Sequence, residues 1–264
     1  MKNHDGMFSL KGKNVFVVGG LGLLGLAVSQ AAAANGAKVV VLDVDNDKSK
    51  AVLKWAGKHK YRLYYEYFDA ADLDACELSL KRLVKEYGPM HALVNASYPR
   101  SRDWARPLEK MTVAYLRENV DKHLNSYLWL GRCAALLMQK ARVKGSIINF
   151  GSIYGVVAND LSVYEGTPMS GELTYCAIKG GVVNLTRYLA SYFGKDGIRA
   201  NCICPGGIFD RQNPRFVKNY ERKTPLKRMG IPQDVAHAAV FLAGDASSYI
   251  TGEVLMVDGG WTAV

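Results

Sequence analysis

An apolar run at 14–18 (NVFVV) passes straight into a glycine-rich turn at 19–25 (GGLGLLG) and then into an alanine-rich stretch that reads as a helix from about 22 to 35. Five consecutive apolar residues read as a strand buried on both faces. Gly19, Gly20, Gly22 and Gly25 let the backbone come close to a ligand, and the helix N-terminus offers unpaired N–H groups and positive potential to a pyrophosphate. Leu21, Leu23 and Leu24 belong to the same cradle. Strand, turn and helix in this order point to an open parallel sheet that binds a dinucleotide at its carboxyl edge.

The next run, 38–42 (KVVVL), ends at Asp43. A carboxylate ~20 residues past the glycines accepts both adenosine-ribose hydroxyls and repels a 2′-phosphate. NAD is therefore expected ahead of NADP, with Val44 in the same binding stretch. The neighbouring Lys48 and Lys50 leave NADP open, and Asp43 also reads as a plain strand-end turn residue.

Further strands are expected at 61–68 (ending at Asp69), 91–95, 146–150 and 253–257, with helices at 72–87 and 232–243 between them. Strands alternating with helices of ordinary length imply crossover connections and a parallel sheet. No internal repeat or linker divides the 264 residues. The expected fold is a single α/β domain over 1–264, a Rossmann-type doubly wound parallel sheet of about seven strands with helices on both faces.

The five cysteines (Cys76, Cys133, Cys176, Cys202 and Cys204) form no CxxC pair and no His/Cys cluster of zinc-like spacing, so no metal is expected. The opening residues MKNHDGMFSLKGK lack an apolar leader core, and no apolar run reaches the ~20 residues of a membrane span. A cytoplasmic chain with reduced thiols, not bound to a membrane, is the expectation.

Tyr175 and Lys179 stand four apart in YCAIK, so a helix over 172–193 presents phenol and ammonium on one face. A tyrosine of pKa ~10 is a poor base at neutral pH. A cation ~4 Å away is worth ~4 kcal/mol at an effective dielectric of ~20, or ~3 pKa units, which brings the phenol into the range of general acid–base work.

Several pieces now stand in order: the turn at 19–25, Asp43, Asp69, LVNAS at 93–97, NFGS at 149–152, YCAIK at 175–179, NCICPGG at 201–207 and YITGEVLMVDGG at 249–260. Together they resemble the short-chain dehydrogenase/reductase family over nearly the whole chain. The resemblance implies reversible hydride transfer between a nicotinamide cofactor and a secondary alcohol or ketone. Ser152 would hydrogen-bond the substrate oxygen, Tyr175 would pass the proton, and Lys179 would tune Tyr175 and bind the nicotinamide ribose. Asp69 with Ala70 would approach the adenine. Asn95, Ala96 and Ser97 would line the adenosine side, and Pro205, Gly206 and Ile208 the nicotinamide. A homodimer or homotetramer is also implied.

The chain departs from the family pattern in places. Val18 replaces the usual Thr before the glycines, and Leu23 takes a glycine position. His123 stands where the family has an Asn that keeps a water in a proton relay; it reads either as a relay member or as a space-filling residue.

Between Ser152 and Tyr175 lies a long loop, about 156–173, with YEGTPM at 164–169. That segment resembles the bacterial flagellin-modification and sialic-acid-like sugar oxidoreductase branch. Tyr154, Tyr164 and Glu165 are candidate contacts for a hydroxyl-rich substrate; an oligomer contact is the alternative for this loop. The formal net charge is +10, and the expected lid, about 208–228, carries Arg211 and Arg215 among seven cations, with Arg100 on the opposite rim. Arginines suit phosphate or carboxylate, so the expected partner is an anionic or hydroxyl-rich small molecule, such as a sugar derivative for bacterial surface or flagellar glycans. The cations otherwise serve only to complement the cofactor. No basic groove-reading helix or aromatic platform suggests nucleic acid. The alternatives are a generic ketone, polyol or 3-oxoacyl-thioester reductase, and a catalytically silent cofactor-binding regulator.

Overall fold

Seven strands build one parallel sheet: β1 (Asn14–Val18), β2 (Lys38–Asp43), β3 (Leu63–Tyr67), β4 (Ala92–Asn95), β5 (Ser146–Phe150), β6 (Arg199–Pro205) and β7 (Val254–Val257), in the spatial order β3-β2-β1-β4-β5-β6-β7. The computed structural model describes residues 8–264, so the leader reading of the N-terminus falls mostly outside the described residues. The helices are α1 (Leu23–Ala34), α2 (Asn46–His59), α3 (Leu73–Tyr87), α4 (Val113–Asn119), α5 (Ser126–Lys140), α6 (Leu173–Phe193), α7 (Pro214–Lys223) and α8 (Pro232–Ala243).

Strand periodicity explains the two cores. Val15 and Val17 of β1, with Val39 and Val41 of β2, face one side and pack on α1, α2 and α8. Phe16, Val18, Val40 and Leu42 face the other side and pack on α3, α5 and α6. Both faces are covered, so the strands carry unbroken apolar runs rather than alternating ones. Each fully buried Val or Leu contributes about 1.5–3 kcal/mol relative to exposure.

Element ends differ from expectation by a residue or two, for identifiable reasons. The strand expected at 61–68 is paired only over 63–67, because Asp43↔Tyr67 is its last partner pair on β2. Helices expected to begin at 22, 72 and 172 begin one residue later, since Gly22, Asp72 and Glu172 are their N-caps.

The strand order reverses between β1 and β4, and ligands of such sheets bind in the crevice beyond the carboxyl ends at this point. The glycine turn leaves β1 there and Asn95–Ser97 leave β4 there. Gly25 of α1 rests on the turn so closely that a Cβ would lie 2.0 Å from the Gly19 carbonyl oxygen, and Gly19 itself holds φ +69.

The lid segment folds as α7, and the long loop 156–173 packs directly on it. Tyr164 meets Phe216 with ring centroids 5.4 Å apart, Lys223 pairs with Asp160 at 2.8 Å, and Asn219 Nδ2 donates to the Val163 and Glu165 carbonyls at 3.2 Å each. Val163, Phe216, Tyr220 and Trp261 form a small core of their own around these contacts.

Gly25→Ala forces the turn and α1 apart. The expected cost is about 1–3 kcal/mol, read as a lowered urea midpoint, together with weakened NADH binding. Unchanged stability and binding would contradict the role given to this contact.

Candidate active site

The crevice at the reversal is a cavity of ≈ 980 Å³. On one side it is lined by Gly19, Leu21, Gly22, Leu23 and Leu24 from the turn, Asp43 and Val44 after β2, Asp69 and Ala70 after β3, and Ala96 and Ser97 after β4. On the other side stand Ser152, Tyr175 and Lys179 with Pro205, Gly206 and Ile208 from the end of β6, and Arg100 lies on the rim. Residues from six different loops thus meet because each follows the carboxyl end of a parallel strand or lies on the helix packed against it.

The turn fits a pyrophosphate. Gly22 caps α1 without any side-chain hydrogen bond, and no acidic residue occupies the first turn of the helix. The helix-terminal N–H groups and the positive end of the dipole are therefore left for an anion. Asp43 closes the same side: its Oδ2 accepts the Leu21 N–H at 2.8 Å and its Oδ1 accepts the Asp45 N–H at 3.1 Å. Lys48 lines the cavity but is paired with Asp45 at 3.0 Å, and Lys50 lies 3.5 Å from Asp47.

At the other end, Ser152 sits just beyond β5 and is 5 % exposed. Its Oγ accepts the Tyr154 N–H at 3.2 Å. The turn Ile153–Gly155 approaches α6 so closely that a Cβ on Gly155 would stand 2.6 Å from the Lys179 carbonyl. Glycine here is what lets Ser152 face Tyr175. Lys179 is buried; its Nζ donates to the Phe150 carbonyl at 2.8 Å and lies 5.0, 5.7 and 6.0 Å from the ring centroids of Tyr127, Tyr175 and Tyr98.

The expected electrostatic tuning is not what this geometry delivers. Burial raises the Tyr175 phenol above its ordinary value, with the Ser152 hydroxyl opposing it. Burial also lowers Lys179 to about 8. The ammonium is directed at a carbonyl and an aromatic wall, and desolvation outweighs Coulomb attraction for both groups.

Eight predicted residues do not line the cavity. Gly25 supports the turn from within α1. Asn95 is fully buried, and its Oδ1 accepts the Ser97 N–H and hydroxyl at 3.2 and 2.7 Å. Tyr154, in the turn Ile153–Gly155, packs on the same small core, Tyr164 and Glu165 belong to the loop that leans on α7, and Arg215 packs over Gly166 of that loop. Arg211 is exposed beside the cavity. His123 lies in a π-helical stretch, Val120–Asn125, between α4 and α5. It is fully buried, 5.2 Å from Tyr98 and 5.5 Å from Tyr127 by ring centroids, and neither ring nitrogen has a hydrogen-bond partner among the described residues. Burial, then Lys179 and Arg100, hold its pKa well below the usual histidine range, so the imidazole is neutral.

Sequence reasoning missed Tyr98, Tyr127 and Gln212, all of which line the cavity, as does Asp210, which stands where the family often has Thr and is not among the expected site residues. Tyr98 is the most informative. Its ring stands edge-on to Tyr175 at 5.9 Å and carries the Arg100 guanidinium at 4.8 Å. Its position directly after LVNAS was the available signal; its orientation was not readable.

A profile of the family described as "Enoyl-(Acyl carrier protein) reductase" matches residues 22–262. The chain belongs to the short-chain dehydrogenase/reductase family. As a member it is an NAD(P)-dependent oxidoreductase acting on CH–OH groups. It is 29 % identical over 255 residues to "Post-translational flagellin modification protein A" of Campylobacter coli, covering 96 % of this chain and 99 % of the relative. It is 32 % identical over 265 residues to "2,5-dichloro-2,5-cyclohexadiene-1,4-diol dehydrogenase" of Sphingobium indicum, covering 98 % and 100 %. A short-chain dehydrogenase from Leptospira borgpetersenii, solved with bound NAD+, superposes with TM-score 0.83 at 33 % identity, covering 99 % and 96 %.

His123 makes the fold sensitive to acid. Below pH ~6.5 the unfolded chain takes up a proton that the folded chain refuses, so stability is present above that pH and is lost as pH falls. The expected slope is up to about 1.4 kcal/mol per pH unit for this group. His123→Asn should flatten the fall between pH 7.5 and 5.5 in urea melts; an unchanged slope would remove His123 as its source.

Proposed function

We propose that this enzyme moves a hydride between NAD(H) and a secondary alcohol, or the corresponding ketone, on an anionic sugar or amino-sugar derivative used in bacterial surface or flagellar glycan synthesis. The observation that carries the reaction is the meeting of Ser152, Tyr175 and Lys179 at one end of a cavity whose other end is a phosphate cradle. In this reading the Ser152 hydroxyl holds the substrate oxygen, and Tyr175 takes the hydroxyl proton in oxidation and returns it in reduction. Lys179 orients the cofactor ribose and keeps a positive charge near the phenol. Bound nicotinamide supplies the hydride acceptor and, when oxidised, a positive charge of its own. Asp69, Ala70, Ala96 and Ser97 are assigned to the adenosine end, and Pro205, Gly206 and Ile208 to the nicotinamide end. His123 is assigned to proton passage behind Lys179, as a neutral imidazole able both to accept and to donate.

Charge supports NAD over NADP. Asp43, Asp45 and Lys48 leave one net negative charge where a 2′-phosphate would sit, and Lys48 is already paired. The anionic substrate rests on Arg100, held over the Tyr98 ring next to Tyr175. The sugar assignment rests on the name of the Campylobacter relative and on YEGTPM at 164–169. A catalytically silent regulator would not need buried Ser152 and Lys179 gathered with the half-buried Tyr175 at the cavity end. Exposed Leu128 and Leu136 on α5, with Tyr188 and Tyr192 on the adjoining α6, suit a second copy of the chain, and a cytoplasmic homodimer or homotetramer completes the proposal.

A thermal-shift series first compares NADH with NADPH, then sugar nucleotides and acidic sugars with acyl thioesters. The larger shifts are expected with NADH and with an anionic sugar; a shift confined to acyl thioesters would replace the sugar reading with a 3-oxoacyl one. Tyr175→Phe should lower kcat by about 10²–10⁴, and full turnover would remove the catalytic assignment. Arg100→Ala should raise KM for the anionic substrate about tenfold or more, whereas an unchanged KM would dispose of the anion contact.

A further inference from the structure

The N-cap of the catalytic helix is a glutamate. Asp, Asn, Ser and Thr are the usual caps because a short side chain reaches back to the first N–H groups. Glu172 is 8 % exposed, and its Oε2 takes the backbone N–H of Tyr175 itself. The longer side chain allows a second bond: Oε1 accepts the Tyr115 hydroxyl at 3.0 Å. A buried carboxylate is costly unless donors meet it, and here two donors and the positive end of α6 do so.

Tyr115 connects Glu172 to the substrate side of the cavity. It belongs to α4 and is itself buried. Asn119, one turn further on, donates through Nδ2 to the Tyr115 carbonyl at 3.0 Å and to the Ser101 hydroxyl at 2.9 Å, while its Oδ1 accepts the Ser101 N–H at 2.9 Å. Ser101 directly follows Tyr98-Pro99-Arg100, the segment that forms the rim beside Tyr175. Trp104, from the same loop, lies tilted against Tyr115 at 6.4 Å between ring centroids and stands edge-on to Tyr175 at the same separation. A path of hydrogen bonds, part-buried at the Tyr175 N–H and buried beyond it, therefore runs from the Tyr175 backbone through Glu172, Tyr115 and Asn119 to the rim loop.

We propose that Glu172 is a positioning residue: through Tyr115 its one carboxylate sets the distance between the Tyr175 phenol and the Tyr98–Arg100 rim. Aspartate at this position would cap the helix but, one methylene shorter, would not also reach Tyr115. The inference rests on Tyr175 as the proton-transferring group only in its kinetic consequence; the mechanical link stands independently of it.

The test uses Glu172→Asp, Glu172→Gln and Tyr115→Phe, read by hydrogen exchange, by NADH fluorescence titration, and by NADH-dependent reduction of 2,3-butanedione as a small probe ketone. Tyr115→Phe and Glu172→Asp should speed amide exchange over 98–107 about tenfold while 173–179 stays protected. Glu172→Gln, which replaces one of the two acceptor oxygens by a donor and removes the negative charge at the N-terminus of α6, should speed both segments. In all three the NADH dissociation constant should stay within about twofold and kcat should fall about tenfold, the scale expected for a small misplacement of a reacting group. Glu172→Gln combined with Tyr115→Phe should be no worse than Glu172→Gln alone, as for members of one network. Wild-type exchange over 98–107 in both Tyr115→Phe and Glu172→Asp would overturn the link. Loss of NADH binding in proportion to kcat would reduce Glu172 to a general stability role. Full turnover in Tyr175→Phe would instead remove the catalytic assignment and leave the exchange result standing.

Discussion

The structure depends on the reversal of strand order between β1 and β4. Chain leaving β1 turns toward β2 with α1 on one face, and chain leaving β4 turns toward β5 with α5 on the other. The two connections separate, and no backbone fills the space between them. That space is the cavity. The apolar runs, the glycine contacts and the placement of Ser152 and Tyr175 matter because they bring polar groups to its edge without adding unsatisfied backbone to the core.

Desolvation is the governing electrostatic effect around Tyr175, Lys179 and His123. Lys179, Tyr175 and His123 are drawn out of water together, and each shifts toward its neutral form. Proximity of Tyr175 and Lys179 along a helix face suggested the opposite balance for the phenol. The ammonium is instead engaged by the Phe150 carbonyl and by aromatic rings. A site poised in this way gains most from charge that arrives with a ligand, since a low-dielectric surround magnifies any new interaction. The neutral His123 fits the same logic, because a charged imidazole beside a buried ammonium would be doubly unfavourable.

The substrate side is built from two units that sequence order does not join. One is the pairing of the 156–173 loop with α7, which places Tyr164 against Phe216 and Arg215 over Gly166 rather than in the cavity. The other is the rim at 98–107, tied to α4 and through Glu172 to α6. The second unit borders the cavity beside Tyr175 through Tyr98 and Arg100, whereas the long loop does not reach it.

The amino-acid sequence by itself determined the architecture, the glycine turn at the head of α1 and the three polar groups, Ser152, Tyr175 and Lys179, that meet at one end of the cavity. These depend on short-range signals: apolar runs of strand length, glycines where a Cβ would collide, and a four-residue spacing on a helix. Tertiary structure decided what depends on side-chain direction and burial. Tyr98 entered the site and Tyr164 left it because of how two loops pack. Glu172 acquired a second partner 57 residues away. Lys179 turned toward Phe150, and the balance between Coulomb attraction and desolvation turned with it, because burial is a property of the whole fold and no local spacing encodes it.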